Sequence, residues 1–215
     1  MKLFSVATLA LMAAAPAFAN TTLTLDFEGS TSFSSVAEFY NGGTDGAGQT
    51  GVNRGVSFTG AVLALSNDGT GTGTNGDFFS HAPSPRTVMF ATDASAVMNV
   101  AAGMVNEVSF YYSNQTPAFD IVKIFSGADG TGTELGTFSM NKNAQKNGCS
   151  DSAFCNWQKI SVSFGGTAHS VSFGGNAGEI AYDNISITAV PEPETYAMMM
   201  AGLLALGFMV RRRPS

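Results

Sequence analysis

Few side chains in this sequence have the types and spacing that chemistry needs. Its two histidines are His81 and His169. Neither belongs to a His-Glu-x-x-His metal motif, and there is no Gly-x-Ser-x-Gly nucleophile elbow or Walker phosphate loop. His81 sits in a loop beside Pro83 and Pro85, and His169 at a turn, so both read as surface or packing residues. Serine and threonine are plentiful, yet no base is spaced to activate one. Glycoside hydrolysis asks only for two carboxylates about 5–10 Å apart, and the spacing of the acids singles out no such pair. Binding a sugar asks for a planar ring against the apolar face of a pyranose, with polar groups for its hydroxyls. Tyr40, Phe78, Phe79, Tyr112 and Trp157 are the candidate rings. Tyr40 precedes Asn41-Gly42-Gly43 at a loop mouth and is the preferred sugar-facing ring; Trp157 is the second choice, with packing as its other reading. No tryptophan cluster marks a platform. These residues describe a binding or structural protein, not an enzyme.

The two ends of the chain say where it goes. Lys2 precedes an apolar run from Leu3 to Ala15, and Ala17-Phe18-Ala19 is a small-x-small cleavage site. This is a secretory signal peptide over residues 1–19, cut after Ala19. Removing it and the C-terminal segment leaves a body of residues 20–189, one domain's worth. Without Glu192, Glu194, Lys2 and the three terminal arginines, the body keeps fourteen acids and six bases. An acidic body with no basic cluster excludes nucleic acid as a partner, since phosphates need a positive footprint. Export also places Cys149 and Cys155 where disulfides persist, and the five residues between them form a loop that a bridge can close. A metal site on this pair is disfavoured, because no histidine lies within ten residues.

The C-terminal segment, residues 190–215, has three blocks. Val190-Pro191-Glu192-Pro193-Glu194 is stiff and polar, because each proline fixes its own φ and extends the residue before it. Tyr196 to Val210 carries no charge, and Arg211-Arg212-Arg213 follows. Fifteen helical residues rise about 22 Å, short of a bilayer core of about 30 Å. The block therefore suits a temporary hold across a membrane, with the arginines kept cytoplasmic. In motif, apolar stretch and basic tail it closely resembles the PEP-CTERM sorting signal of Gram-negative bacteria. The resemblance implies transient inner-membrane insertion, cleavage near Pro191-Glu192-Pro193 by an exosortase-type membrane protease, and release to the cell surface or extracellular matrix.

The body reads as strands. Leu23, Leu25 and Phe27 alternate with Thr22, Thr24 and Asp26, the period of a half-buried strand. Further strands are predicted at 56–65, 87–90, 96–101, 106–112, 118–125, 134–140, 157–164 and 179–188. The segments 106–112 and 118–125 are expected to pair. Ser161-Val-Ser-Phe-Gly-Gly166 recurs as Ser170-Val-Ser-Phe-Gly-Gly175 and is expected to give two adjacent strands. Gly-rich loops cover 39–55 and 67–77; Thr44-Asp45 and Asp68 lie in them, where such residues usually make turns. No stretch keeps a 3.6-residue period, so the fold class is all-β, a β-sandwich.

Phe27-Glu28-Gly29 after the first strand and Ala181-Tyr-Asp-Asn-Ile-Ser-Ile187 at the end resemble the galactose-binding-like jelly roll, shared by many carbohydrate-binding modules. The resemblance implies neighbouring first and last strands, with structural calcium where they meet. Glu28 and Asp183 are its implied ligands, and Asp26 a third. Calcium takes six to eight oxygens, so backbone carbonyls and one of the Gly-rich loops would have to complete the shell. The functional expectation is a non-catalytic, structural or adhesive protein of an exopolysaccharide or biofilm matrix. A dedicated calcium-dependent carbohydrate-binding module and a small secreted hydrolase are the alternatives.

Overall fold

The structure is a computed structural model that describes residues 20–67, 78–174, 177–190 and 201–204. The signal-peptide reading, Asp68, and all of the sorting segment except residues 190 and 201–204 lie outside the described residues.

Among the described residues ten strands form the body: β1 Thr21–Leu25, β2 Val56–Phe58, β3 Val62–Ser66, β4 Thr87–Ala91, β5 Val97–Asn114, β6 Ala118–Phe125, β7 Glu134–Met140, β8 Gln158–Ser163, β9 Ala168–Ser172 and β10 Ile180–Ala189. The fold is all-β, and every pairing between strands is antiparallel. β5 is its spine. The two strands predicted at 96–101 and 106–112 are one strand of 18 residues, and each half serves a different part of the sheet. Along one edge of β5 lie β2, on Met98 to Val100, and β10, on Met104 to Asn114. Along the other lie β9 and β8.

This register corrects two expectations. The repeated Ser-Val-Ser-Phe segments do not form adjacent strands: Val162 pairs with Val108 and Val171 with Met98, so β8 and β9 run end to end on one edge. β5 and β6 do not pair either. β6 pairs with β7, the hairpin read from Gly127 to Gly132, and with β9 on its other side. Local patterning finds strands, but a long shared spine decides which edges meet.

The faces follow the alternation. Val108, Phe110 and Tyr112 from β5 and Tyr182, Ile185 and Ile187 from β10 are buried in the main core. Phe110 sits at its centre, 4.7 Å from Phe138 and 5.5 Å from Tyr182 between ring centroids. β4 is buried at all five positions because it has apolar cover on both faces. Met89 and Ala91 face the main core, whereas Val88 and Phe90 join Leu65, Phe79, Phe154 and Ala181 in a second cluster under the cysteine loop. A strand covered on both sides reads as an unbroken apolar run, as Val-Met-Phe-Ala does.

β1 lies beside β10, with Thr21 opposite Ala189 and Leu25 opposite Ile185. First and last strands are therefore neighbours, the winding that the jelly-roll resemblance implies. Residues 20 and 190 leave the sheet at the same end. Residues 201–204 are helical and exposed, and among the described residues no helix is long and apolar enough to cross a membrane.

Candidate functional site

Three distant pieces of chain meet around Ser84. The first is the end of β1, where Phe27 takes a positive φ of 61° and the chain turns through Asp26, Glu28 and Gly29. The second is Pro83-Ser84-Pro85 ahead of β4. Neither proline has an N–H, so Ser84 carries the one backbone donor of the tripeptide. The third is the middle of β10, where a register shift between Asp183 and Ser186 and a φ of 47° at Asn184 break the ladder. Such a bulge re-aims a side chain, here that of Asp183.

Asp183 is fully buried. Ser84 N–H donates to its Oδ2 at 2.7 Å, the Ser84 hydroxyl to Oδ1 at 2.7 Å, and Asn184 N–H to Oδ1 at 2.7 Å. Burial raises the carboxyl to about 7; the bonds from Ser84 and Asn184 oppose that rise, and the charge of Glu28 adds to it. Glu28 Oε1 accepts Arg86 N–H and Thr87 N–H, each at 2.9 Å. The carbonyl oxygens of Asp26 and Thr87 lie 3.0 and 3.2 Å from Ser84 Oγ. The structure thus brings Glu28 and Asp183 onto one four-residue segment, Ser84 to Thr87.

The Asp26 carboxylate is not turned to the same point. Its Oδ1 accepts the Tyr40 hydroxyl at 3.2 Å and Glu28 N–H at 3.3 Å; what Asp26 offers Ser84 is its carbonyl oxygen. The Tyr40 hydroxyl in turn accepts Phe27 N–H at 2.6 Å. That corrects the sugar-facing reading of Tyr40. The ring is 3% exposed and edge-on to Phe27 and Phe39, and burial, with the nearby Asp26 charge, pushes its phenol up. Apolar neighbours outweigh the pull of the adjacent loop. Asp45 is a loop organiser: its carboxylate accepts N–H groups of Thr31, Ala47 and Gln49 at 2.7–2.9 Å.

Trp157 is likewise a packing residue. It is half-buried, edge-on to Phe79, with its Nε1–H donated to Ser80 O at 2.9 Å. Phe79 and Tyr112 are buried as well. Of the five candidate rings, Phe78 is the most exposed, at 37%. It meets Phe33, 58% exposed, edge-on at 5.6 Å. The two flank an apolar groove of about 230 Å³ floored by Leu63, Leu65, Phe90 and Phe154. Phe33 was missed because it sits in a stretch, Ser30 to Ala37, that is otherwise small and mostly polar.

The cysteine reading is met by a Cys149–Cys155 disulfide with Cα atoms 5.9 Å apart. His81 has a partner: its Nε2 lies 2.7 Å from Asp151 Oδ2. His169 Nδ1 lies 3.3 Å from Val100 O. Neither is bonded to Ser84, so the Ser84–Asp183 pair has no imidazole to complete a nucleophilic relay.

The C-terminal segment is the part of the chain that a comparison identifies. Residues 189–213 match the PEP-CTERM protein-sorting motif. A PEP-CTERM segment indicates a secreted protein, processed or anchored at the cell envelope. A search among curated proteins finds no match. Among solved structures, the K2 cleaved adhesin domain of Lys-gingipain is similar over 78% of this chain and 99% of its own, at 16% identity and a TM-score of 0.45. CsCBM6-3 from Clostridium stercorarium, solved in complex with cellobiose, is similar over 62% and 87%, at 15% identity and a TM-score of 0.38. A β-1,3-glucan-binding CBM6 from Bacillus halodurans covers 60% and 87%, at 13% and 0.34. Likeness at this level carries no ligand over to this chain.

Proposed function

We propose that this chain is a non-catalytic structural or adhesive protein of an exopolysaccharide matrix, delivered through the inner membrane and processed by an exosortase-type protease. The match of residues 189–213 to the sorting motif carries this reading. Asp183 itself is fully buried, and a carboxylate closed off from solvent has no reach to a glycosidic oxygen. The test is a pull-down of the exported protein with matrix polysaccharide from its producing cells, with and without calcium. Saturable retention supports an adhesive role, and no retention together with self-assembly leaves a purely structural one. Turnover of a glycan by the pure protein overturns both.

Calcium belongs to the same proposal. Glu28 and Asp183 with the carbonyls of Asp26 and Thr87 form an all-oxygen donor set, the chemistry of a hard cation. The cation would relieve the burial of one carboxylate beside another. Asp26 enters through its backbone rather than its side chain.

The second reading, a dedicated carbohydrate-binding module, is favoured by the groove between Phe33 and Phe78, whose exposed rings offer an apolar face to a pyranose.

A further inference from the structure

We propose that reduction of the Cys149–Cys155 disulfide opens a site for a divalent transition metal of the zinc class, held by His81, Cys149 and Asp151. His81 Nε2, Cys149 Sγ and a carboxylate oxygen of Asp151 all lie within 4.8 Å of one another. The His81–Asp151 contact is already 2.7 Å, and both side chains are well exposed, at 64% and 59%. In a tetrahedral zinc site with bonds of about 2.0–2.3 Å, neighbouring donors stand about 3.3–3.8 Å apart. Closing three groups already this near needs side-chain rotation and no movement of the chain.

The donor types fit. An imidazole, a thiolate and a carboxylate are the ligands that zinc draws on, and three protein ligands with solvent in the fourth place is an established arrangement. Cys155 stays out. It is 2% exposed, and its sulfur lies 3.4 Å from Ala144 O in the second core cluster.

In the oxidised protein Cys149 has no thiolate to give, so the disulfide masks the site. A dithiol reductant supplies two electrons and two protons, becoming a disulfide itself, and Cys149 and Cys155 become thiols. Metal binding then displaces the Cys149 proton to solvent. The loop does not depend on the bridge to stay in place. Cys155 and Asn156 donate their N–H groups to Ala144 O at 3.1 and 2.9 Å. Ser80 N–H donates to Phe154 O at 3.0 Å, the Ser80 and Ser152 hydroxyls meet at 3.1 Å, and Trp157 donates to Ser80 O. Segments 78–81 and 151–157 remain bound to each other, and with them His81 and Asp151, while Cys149 N–H donates to Lys146 O at 3.2 Å.

Co²⁺ is the probe, because it takes zinc-type sites and reports a thiolate ligand by a sulfur-to-metal charge-transfer absorption. The exported protein is titrated with Co²⁺ before and after treatment with a phosphine reductant, and Cys155→Ser is titrated without any. The expected result is one Co²⁺ per chain with the thiolate band in reduced protein and in Cys155→Ser, and no band in oxidised protein. His81→Ala and Asp151→Ala, made in the Cys155→Ser background, each weaken binding by roughly tenfold or more, the loss of one ligand of three. Trp157 fluorescence reports whether the loop stays docked; should Cys155→Ser lose its fold, the reduced wild type decides. Absence of the band from docked reduced protein, a band indifferent to His81 and Asp151, or release of Trp157 on reduction each overturns the proposal.

Discussion

Ser84 gives both its N–H and its hydroxyl to Asp183, a residue 99 positions later in the chain. One small residue thereby ties the segment before β4 to the middle of β10, with Asp26 O at the end of β1 lying 3.0 Å from the same hydroxyl oxygen. Hydrogen bonds to a charged group contribute about 1.5–3 kcal/mol each. Ser84→Ala removes the hydroxyl and keeps the N–H, so it should cost about 2 kcal/mol, read as a lower urea midpoint at unchanged m. An unchanged midpoint would mean that solvent or a neighbour replaces the hydroxyl without loss.

The same carboxyl sets the pH dependence of the metal-free protein. Asp183 titrates at about 7 when folded and near 4 when unfolded. Between those values the native state holds a proton that the unfolded state has lost, so stability falls as pH rises from about 4 to about 7. Three pH units correspond to a loss on the order of 4 kcal/mol. Asp45 acts in the opposite sense. Burial opposes its charge, but the N–H groups of Thr31, Gln49 and Ala47 hold it below the usual carboxylate range. Its contribution is present above about 4 and is lost as pH falls through its folded value. Urea titrations in chelator should therefore show greatest stability near pH 4–5. Asp183→Asn should flatten the decline towards pH 7 and leave the acid limb in place.

The fold was legible where a single residue pattern decides it. Leu25 and Phe27, or Ile185 and Ile187, declare their faces by alternation alone. Partner choice was not legible, because the two edges of β5 accept β2, β8, β9 and β10 in a register that no local window contains. Glu28 and Asp183 were placed by resemblance, and the structure joins them on one segment. Ser84 was not found, although a serine between two prolines is a fixed single donor and could have been. Tyr40 was misjudged because a ring beside Asn-Gly-Gly looks exposed, whereas its hydroxyl closes the turn at Phe27.

Calcium removal gives the next prediction. Should Glu28 and Asp183 hold the ion, chelator lowers the thermal midpoint of the exported protein, and Asp183→Ala, already less stable, no longer responds. Protons and the cation compete for Asp183, so the shift caused by added calcium should be larger at pH 8 than at pH 5. Scanning calorimetry at both pH values measures this. A midpoint indifferent to chelator at pH 8 counts against the site.

Tyr40 and the Phe33–Phe78 pair separate packing from binding. Tyr40→Phe keeps the ring and deletes the hydroxyl that accepts Phe27 N–H. It leaves a buried donor unpaired, at a cost of about 1–3 kcal/mol, and should leave polysaccharide retention unchanged. Phe33 is 58% exposed and Phe78 37%, so Phe33→Ala should cost less than about 1 kcal/mol of stability and Phe78→Ala on the order of 1 kcal/mol. Stacking of a sugar on an exposed ring is a matter of apolar area. Losing one ring removes on the order of 1–2 kcal/mol of binding at about 25 cal/mol per Å², a five- to thirtyfold weaker association. Retention of labelled matrix polysaccharide across the three variants measures the difference. Equal retention by all three would place the contact elsewhere on the body.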